Sequence, residues 1–279
     1  MAVGLMTSCT TATHKKPAPT TYVALGDSYS SGEGISPFTA DSNDQQGDRC
    51  HRSAGAYPSD AAAVLGFAPP LFAFHACTGA RVQDFYSANA GHHAPSQLSW
   101  LNGQDSLVTV TVGGNDAHFL DTMATCVAVQ ICQGLWTNQV DKAILQLGDD
   151  SPTNMLSLAR LYGQIRAAAP NAKIFAVGYP RFFPVTPPDQ CPTGIGTTFV
   201  KDQMIWIDSE IKSIDETMRV AATAAGVAYV DAYDANRDHE LCTAAPYLNN
   251  ATLSRSVIAS SFHPNAAGQE SLARLVEAA

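Results

Sequence analysis

Five short runs of apolar residues, rich in β-branched and aromatic side chains, recur along the chain at 22–26, 71–75, 107–112, 173–177 and 227–230. Runs of this length bounded by turn formers read as buried strands. The third, Leu107-Val108-Thr109-Val110-Thr111-Val112, has the strongest strand composition. Between these runs the apolar spacing changes to that of helices. Residues 57–65 predict a helix with Pro58 in its first turn, and shorter pieces follow at 82–86, 98–101 and 117–124. Ser151 and Pro152 predict the N-cap and first position of a helix reaching 168, with Met155, Leu158, Ala159, Tyr162 and Ile165 on one face. Residues 199–224 predict a long helix whose buried stripe is Ile207, Ile211, Ile214, Met218 and Ala221. A last helix runs from 265 or 266 to 278.

Strands alternating with helices predict an α/β fold: three layers, α/β/α, around a five-stranded parallel sheet of flavodoxin-like type. No internal repeat interrupts it. Residues 21–279 form one domain in this reading. Residues 1–20 are a processing segment and linker, ending in a polar Pro/Thr-rich tether.

Composition narrows the function. The 279 residues are 46% apolar and 15% charged, enough to bury one full core. A net charge of −9 gives no basic footprint for nucleic acid. No stretch reaches 18 consecutive apolar residues, so no membrane-spanning helix is predicted. Of the seven cysteines, Cys50, Cys77, Cys126, Cys132, Cys191 and Cys242 show no zinc-ligand spacing. Six in a chain of low charge read as three disulfides in an oxidising compartment, with buried free thiols as the alternative. Six cysteines admit 15 pairings; neighbour order favours Cys50–Cys77, Cys126–Cys132 and Cys191–Cys242. Cys9 follows a run of small residues and precedes the tether, which makes it a candidate for lipid acylation and membrane-surface attachment. The eight residues before it are too few for a signal peptide's apolar core, so this reading requires a longer start.

The chemistry gathers at the ends of the strands. Gly26-Asp27-Ser28 follows the first, Cys77-Thr78-Gly79 the second and Gly113-Gly114-Asn115-Asp116 the third, while Ser261-Phe262-His263-Pro264 precedes the last helix. In an open parallel sheet the C-terminal strand ends share one edge, where ligands bind. A serine there needs a base within hydrogen-bond reach, and His263 is the candidate. A tetrahedral intermediate needs donors aimed at its oxyanion, and the Ser28 N–H, the Gly79 N–H and the Asn115 side-chain amide are the candidates. Asp27 reads as support for the turn and Asp116 as an N-cap of the next helix. Each motif also has a plain reading: Ser28 as a helix cap, Gly79 and Asn115 as turn residues, His263 as a surface histidine before a helix.

In this order, Ser28, Gly79, Asn115 and His263 resemble the signature of the SGNH (GDSL-type) hydrolases. The resemblance spans about residues 21–279. The longer matches Gly26-Asp27-Ser28-Tyr29-Ser30-Ser31-Gly32-Glu33-Gly34, Cys77-Thr78-Gly79-Ala80 and Ser261-Phe262-His263-Pro264-Asn265 are similar to secreted actinobacterial lipases and esterases. The resemblance implies a serine ester hydrolase without cofactor or metal and three disulfides in sequential pairs. Many family members carry an aspartate three residues before the histidine; Ser260 stands there. The similar actinobacterial enzymes use a backbone carbonyl, so the Ser260 carbonyl is expected to accept from His263 Nδ1–H in a Ser–His dyad. Phe182, Phe183 and Phe262 are candidates for an acyl pocket. The expected activity is hydrolysis of lipid or short acyl esters outside the cytoplasm by a monomer. The alternatives are a carbohydrate O-acetyl esterase and a lipid-anchored binding protein with a vestigial site.

Overall fold

A computed structural model describes residues 21–254 and 258–279. Cys9 and the segment 1–20 lie outside them. In chain order the elements are β1 (Thr21–Gly26), α1 (Ser28–Ser31), α2 (Tyr57–Leu65), β2 (Phe72–Phe74), α3 (Gln83–Tyr86), β3 (Asp105–Thr111), α4 (Phe119–Ala128), α5 (Cys132–Gly148), α6 (Leu158–Ala168), β4 (Lys173–Val177), β5 (Gln190–Pro192), β6 (Thr198–Val200), α7 (Lys201–Ala224), β7 (Ala228–Val230) and α8 (Ala266–Ala278). Short 3₁₀ turns cover Gln97–Trp100 and Ile258–Ser260.

The main sheet is parallel in the order β2-β1-β3-β4-β7. All five runs read as strands from the sequence lie in it. The inner strands β1, β3 and β4 are buried at nearly every position because both faces are covered. Along β1, Val23 and Leu25 enter the core shared with α4–α7, while Tyr22 and Ala24 enter the core beneath α2 and α8. In β4, Ile174 and Ala176 face the first core and Phe175 and Val177 the second. This alternation is the period of two that a strand imposes. β5 and β6 form a separate antiparallel hairpin.

Two differences from the sequence reading have local causes. Ser151 does not start a helix: its N–H and hydroxyl both bind Asp149 Oδ1. Asn154 meanwhile donates to the carbonyls of Gln146 and Asp149 at the end of α5. Residues 149–157 are therefore a connection, and Ser157 caps α6 by accepting from the Arg160 N–H at 3.2 Å. Asp116 is not the cap of α4, whose N-cap is His118; its carboxylate instead accepts from the Val82 N–H. α5 had no counterpart in the sequence reading.

Three disulfides join Cys50 to Cys77, Cys126 to Cys132 and Cys191 to Cys242. The first ties the long loop after α1 to the loop that carries Gly79. The second closes the α4–α5 turn, and the third fastens β5 to the loop after β7.

Candidate active site

Gly26 pairs with Thr111, so β1 and β3 end side by side and their following loops emerge together. Ser28 lies two residues beyond the end of β1, and Asn115 four beyond that of β3. Gly26 has φ +129°, and a Cβ there would collide with the Thr111 carbonyl oxygen, so the turn needs glycine. The Gln97 side chain seals it, with Oε1 accepting from the Gly26 N–H at 2.7 Å and Nε2 donating to its carbonyl at 2.9 Å.

Ser28 opens the four-residue α1, which Asp27 caps by accepting from the Tyr29 N–H at 2.9 Å. The other Asp27 oxygen accepts from the Tyr179 hydroxyl, which in turn accepts from the Gly114 N–H at 2.9 Å. One buried carboxylate thus joins the serine turn, the loop after β3 and the end of β4. Burial pushes Asp27 up to about 7, against the hydrogen bonds from Tyr179 and Tyr29. An unfolded aspartate titrates near ~3.9, so the folded chain binds more protons between about pH 4 and 7. The stability that Asp27 contributes is present below that window and is lost as pH rises through it. Asp27→Asn removes the titration. In denaturant unfolding at pH 5 and pH 8, stability relative to wild type should shift in the variant's favour at the higher pH. A difference independent of pH contradicts this.

His263 is brought in from the other end of the chain. Residues 262–265 lie against 247–249: Phe262 N–H donates to the Asn249 carbonyl, Asn249 N–H to the His263 carbonyl and Asn265 N–H to the Tyr247 carbonyl, each at 2.8–2.9 Å. The Tyr29 hydroxyl donates to the Phe262 carbonyl at 2.8 Å, locking this segment onto α1. The result places His263 Nε2 2.8 Å from Ser28 Oγ. Both side chains are buried, at 8% and 7% exposure, which limits their freedom to part.

The carbonyl facing His263 Nδ1 is that of Ser261, at 3.1 Å, and not that of Ser260. The cause is a reverse turn. The Ser260 carbonyl accepts from the His263 backbone N–H at 3.1 Å, and Phe262 has φ +63°. A positive φ at the third position is the type II pattern. The turn thereby occupies the Ser260 carbonyl and leaves the next one to meet the ring. Burial pushes His263 down from its ordinary value, while Glu33 and the carbonyls of Ser261 and Ala259 pull it up. The net direction favours a neutral imidazole, able to take a proton from the adjacent hydroxyl.

Gly79 adopts φ +70°, and a Cβ there would meet nothing closer than His92 Nε2 at 3.5 Å. Conformation rather than space selects glycine at this position. Among the described residues, neither the Ser28 N–H nor the Gly79 N–H has a hydrogen-bond acceptor. Asn115 Nδ2 donates to the Ala80 carbonyl at 3.0 Å, which fixes the amide and leaves its second hydrogen for another acceptor.

Ser28, Gly79, Asn115 and His263 line one cavity. Its apolar wall is made by Phe119, Leu120, Met123, Phe182, Ile211 and Phe262. Of the three phenylalanines that the sequence offers for an acyl pocket, Phe182 and Phe262 line this cavity. The third, Phe183, is fully buried against Phe199, with ring centroids 5.2 Å apart, and does not line the cavity. The Asp208 carboxylate accepts from both the Phe182 and Phe183 N–H groups, and only the first of these side chains turns toward the site. Tyr179 was missed, although its place directly after β4, on the ligand-binding edge, was readable.

A sequence profile described as the GDSL-like lipase/acylhydrolase family matches residues 24–270. The chain belongs to this family. It is 34% identical over 268 residues to Lipase 1 of Streptomyces coelicolor, covering 95% of this chain and 88% of that one. The crystal structure of phospholipase A1 from Streptomyces albidoflavus NA297 superposes with a TM-score of 0.76 at 32% identity, over 94% of this chain and 99% of that one. An extracellular lipase from Streptomyces rimosus superposes with a TM-score of 0.73 at 32% identity, over 93% and 99%. The family member described here therefore has the SGNH hydrolase fold and is an ester hydrolase of the lipase/esterase kind.

Proposed function

We propose that the chain hydrolyses carboxylic esters through a covalent acyl-enzyme on Ser28. The observation that carries this reading is the 2.8 Å contact between Ser28 Oγ and His263 Nε2 in the lining of an apolar cavity. His263 takes the serine proton as Oγ attacks the ester carbonyl, then delivers it to the leaving alkoxide. Water repeats the sequence to release the acid. The Ser261 carbonyl holds Nδ1–H, which fixes the tautomer with Nε2 as acceptor. The N–H groups of Ser28 and Gly79 and the amide of Asn115 stabilise the oxyanion. In Asn115→Ala, kcat should fall by about 10²–10³ with KM nearly unchanged, as for loss of one such donor. An equal rise in KM with kcat intact would mean that Asn115 binds ground-state substrate instead.

The apolar wall supports an acyl chain longer than acetyl as the preferred group. A series of p-nitrophenyl esters from acetyl to palmitoyl tests this. Rising kcat/KM beyond acetyl is expected, and a sharp preference for acetyl, above all on sugars, would favour the carbohydrate esterase instead. An extracytoplasmic location is part of the same proposal. Three disulfides and likeness to a lipase described as extracellular support it. Acylation at Cys9 and a monomeric state complete the proposal.

A further inference from the structure

The segment just after Ser28 contains a buried acid that the steps above leave unused. Glu33 is 3% exposed, and its N–H donates to the Ser28 carbonyl at 3.2 Å. The next residue, Gly34, lies directly against the segment bearing His263, since a Cβ at 34 would collide with the Pro264 carbonyl. Asn249 stitches this seam: its side-chain amide donates to the Gly34 carbonyl at 2.9 Å and its N–H to the His263 carbonyl at 2.9 Å. Glu33 is thus fastened to the nucleophile's turn on one side and to the histidine's segment on the other.

Its carboxylate is held from the far side. Glu33 Oε2 lies 2.7 Å from His51 Nδ1, and His51 Nε2 lies 3.0 Å from Asp44 Oδ1. The hydrogen bond to Glu33, with support from Asp44, pushes His51 up to about 8. Phe38 stacks on the same ring at 4.3 Å. The disulfide Cys50–Cys77 and the bond from the Thr78 N–H to the Cys50 carbonyl anchor this loop to the one carrying Gly79. With His51 protonated, the row Glu33, His51, Asp44 carries a net charge of −1, and its buried member, Glu33, is the one whose charge pulls His263 up.

We propose that Glu33, clamped by His51, is a positioning residue that supports the His263 imidazolium through space, supplying the negative charge that a third triad member would otherwise provide. The inference rests on the reading of Ser28 and His263 as nucleophile and base. A Coulomb interaction falls only as the inverse of distance and is weakly screened in a buried site. The Ser261 carbonyl on Nδ1 orients the ring, but it carries no full charge. Other ionisable groups nearby are already engaged. Asp27 is tied to Tyr29 and Tyr179, and Arg52 is paired with Asp41 at 3.2 Å and Asp48 at 2.9 Å.

The test is the pH dependence of kcat and kcat/KM on a soluble p-nitrophenyl ester in Glu33→Gln, which keeps the side chain's size and a partner for His51. Plateau kcat should fall by about tenfold, and the acid limb should move to lower pH by about one unit, the equivalent of a tenfold change in proton affinity. Activity lost with the acid limb unmoved would indicate a structural role only and overturn the proposal. Should Glu33→Gln not fold, His51→Gln leaves the carboxylate without its cation. The limb must then move to higher pH, and a limb that stays or falls overturns the proposal. Ser28→Ala separates the two levels of inference. Full hydrolysis by Ser28→Ala defeats the parent reading, whereas an inactive Ser28→Ala beside an unmoved Glu33→Gln limb defeats only this one.

Discussion

Ser28→Ala should lower kcat/KM for p-nitrophenyl esters by about 10⁴- to 10⁶-fold, the range seen when a serine nucleophile is removed. The loss is chemical and not a failure to fold. Asp27, not Ser28, caps the turn, and Gly26 and Gln97 set its shape. The only hydrogen bond made by the Ser28 hydroxyl among the described residues is the one to His263. Losing one such bond costs about 1 kcal/mol of stability, whereas a 10⁵-fold loss of rate corresponds to about 7 kcal/mol of transition-state stabilisation. The variant should therefore unfold at nearly the wild-type denaturant midpoint while its activity disappears. Substantial remaining activity would remove Ser28 from the mechanism.

His263→Ala should cost about 10⁴-fold or more in kcat/KM, because a serine hydroxyl without its base is a weak nucleophile. Two further readouts separate loss of the base from general damage. The acid limb of the wild-type profile, which burial of His263 places below the ordinary histidine value, should vanish in the variant. Added imidazole should also restore part of the rate by entering the space that the side chain vacates. A variant whose acid limb persists unchanged would show that another group titrates in catalysis.

The inner strands β1, β3 and β4 could be read because both their faces are covered and nearly every position is buried, and the edge strands β2 and β7, though only partly covered, are apolar along their length. α5 escaped the reading because its buried positions, Cys132, Val140, Ile144 and Leu147, are outnumbered by polar ones. Leu135 and Leu145, on the exposed side, blur the stripe further. β5 and β6 are three residues each, too short for any period to show, and Cys191 in β5 is fastened from outside by Cys242. At the site, the turns bearing Ser28, Gly79 and Asn115 could be placed because strand ends in a parallel sheet converge. The choice of Ser261 over Ser260 could not, because it depends on the backbone dihedral of Phe262. The position of Tyr179 after β4 was readable, but its bonds to Asp27 and Gly114, like the packing of Gly34 on Pro264 beside Glu33, join segments far apart in sequence, which spacing along the chain does not encode.

Hydrolysis through Ser28 requires that its hydroxyl, activated by His263, become covalently acylated. Treatment with a fluorophosphonate ester, followed by intact-mass measurement and peptide mapping, tests it most directly. Loss of esterase activity in step with a single adduct on the peptide carrying Ser28 is expected. An adduct on another residue, or hydrolysis that continues with Ser28 unmodified at saturating reagent, would contradict it.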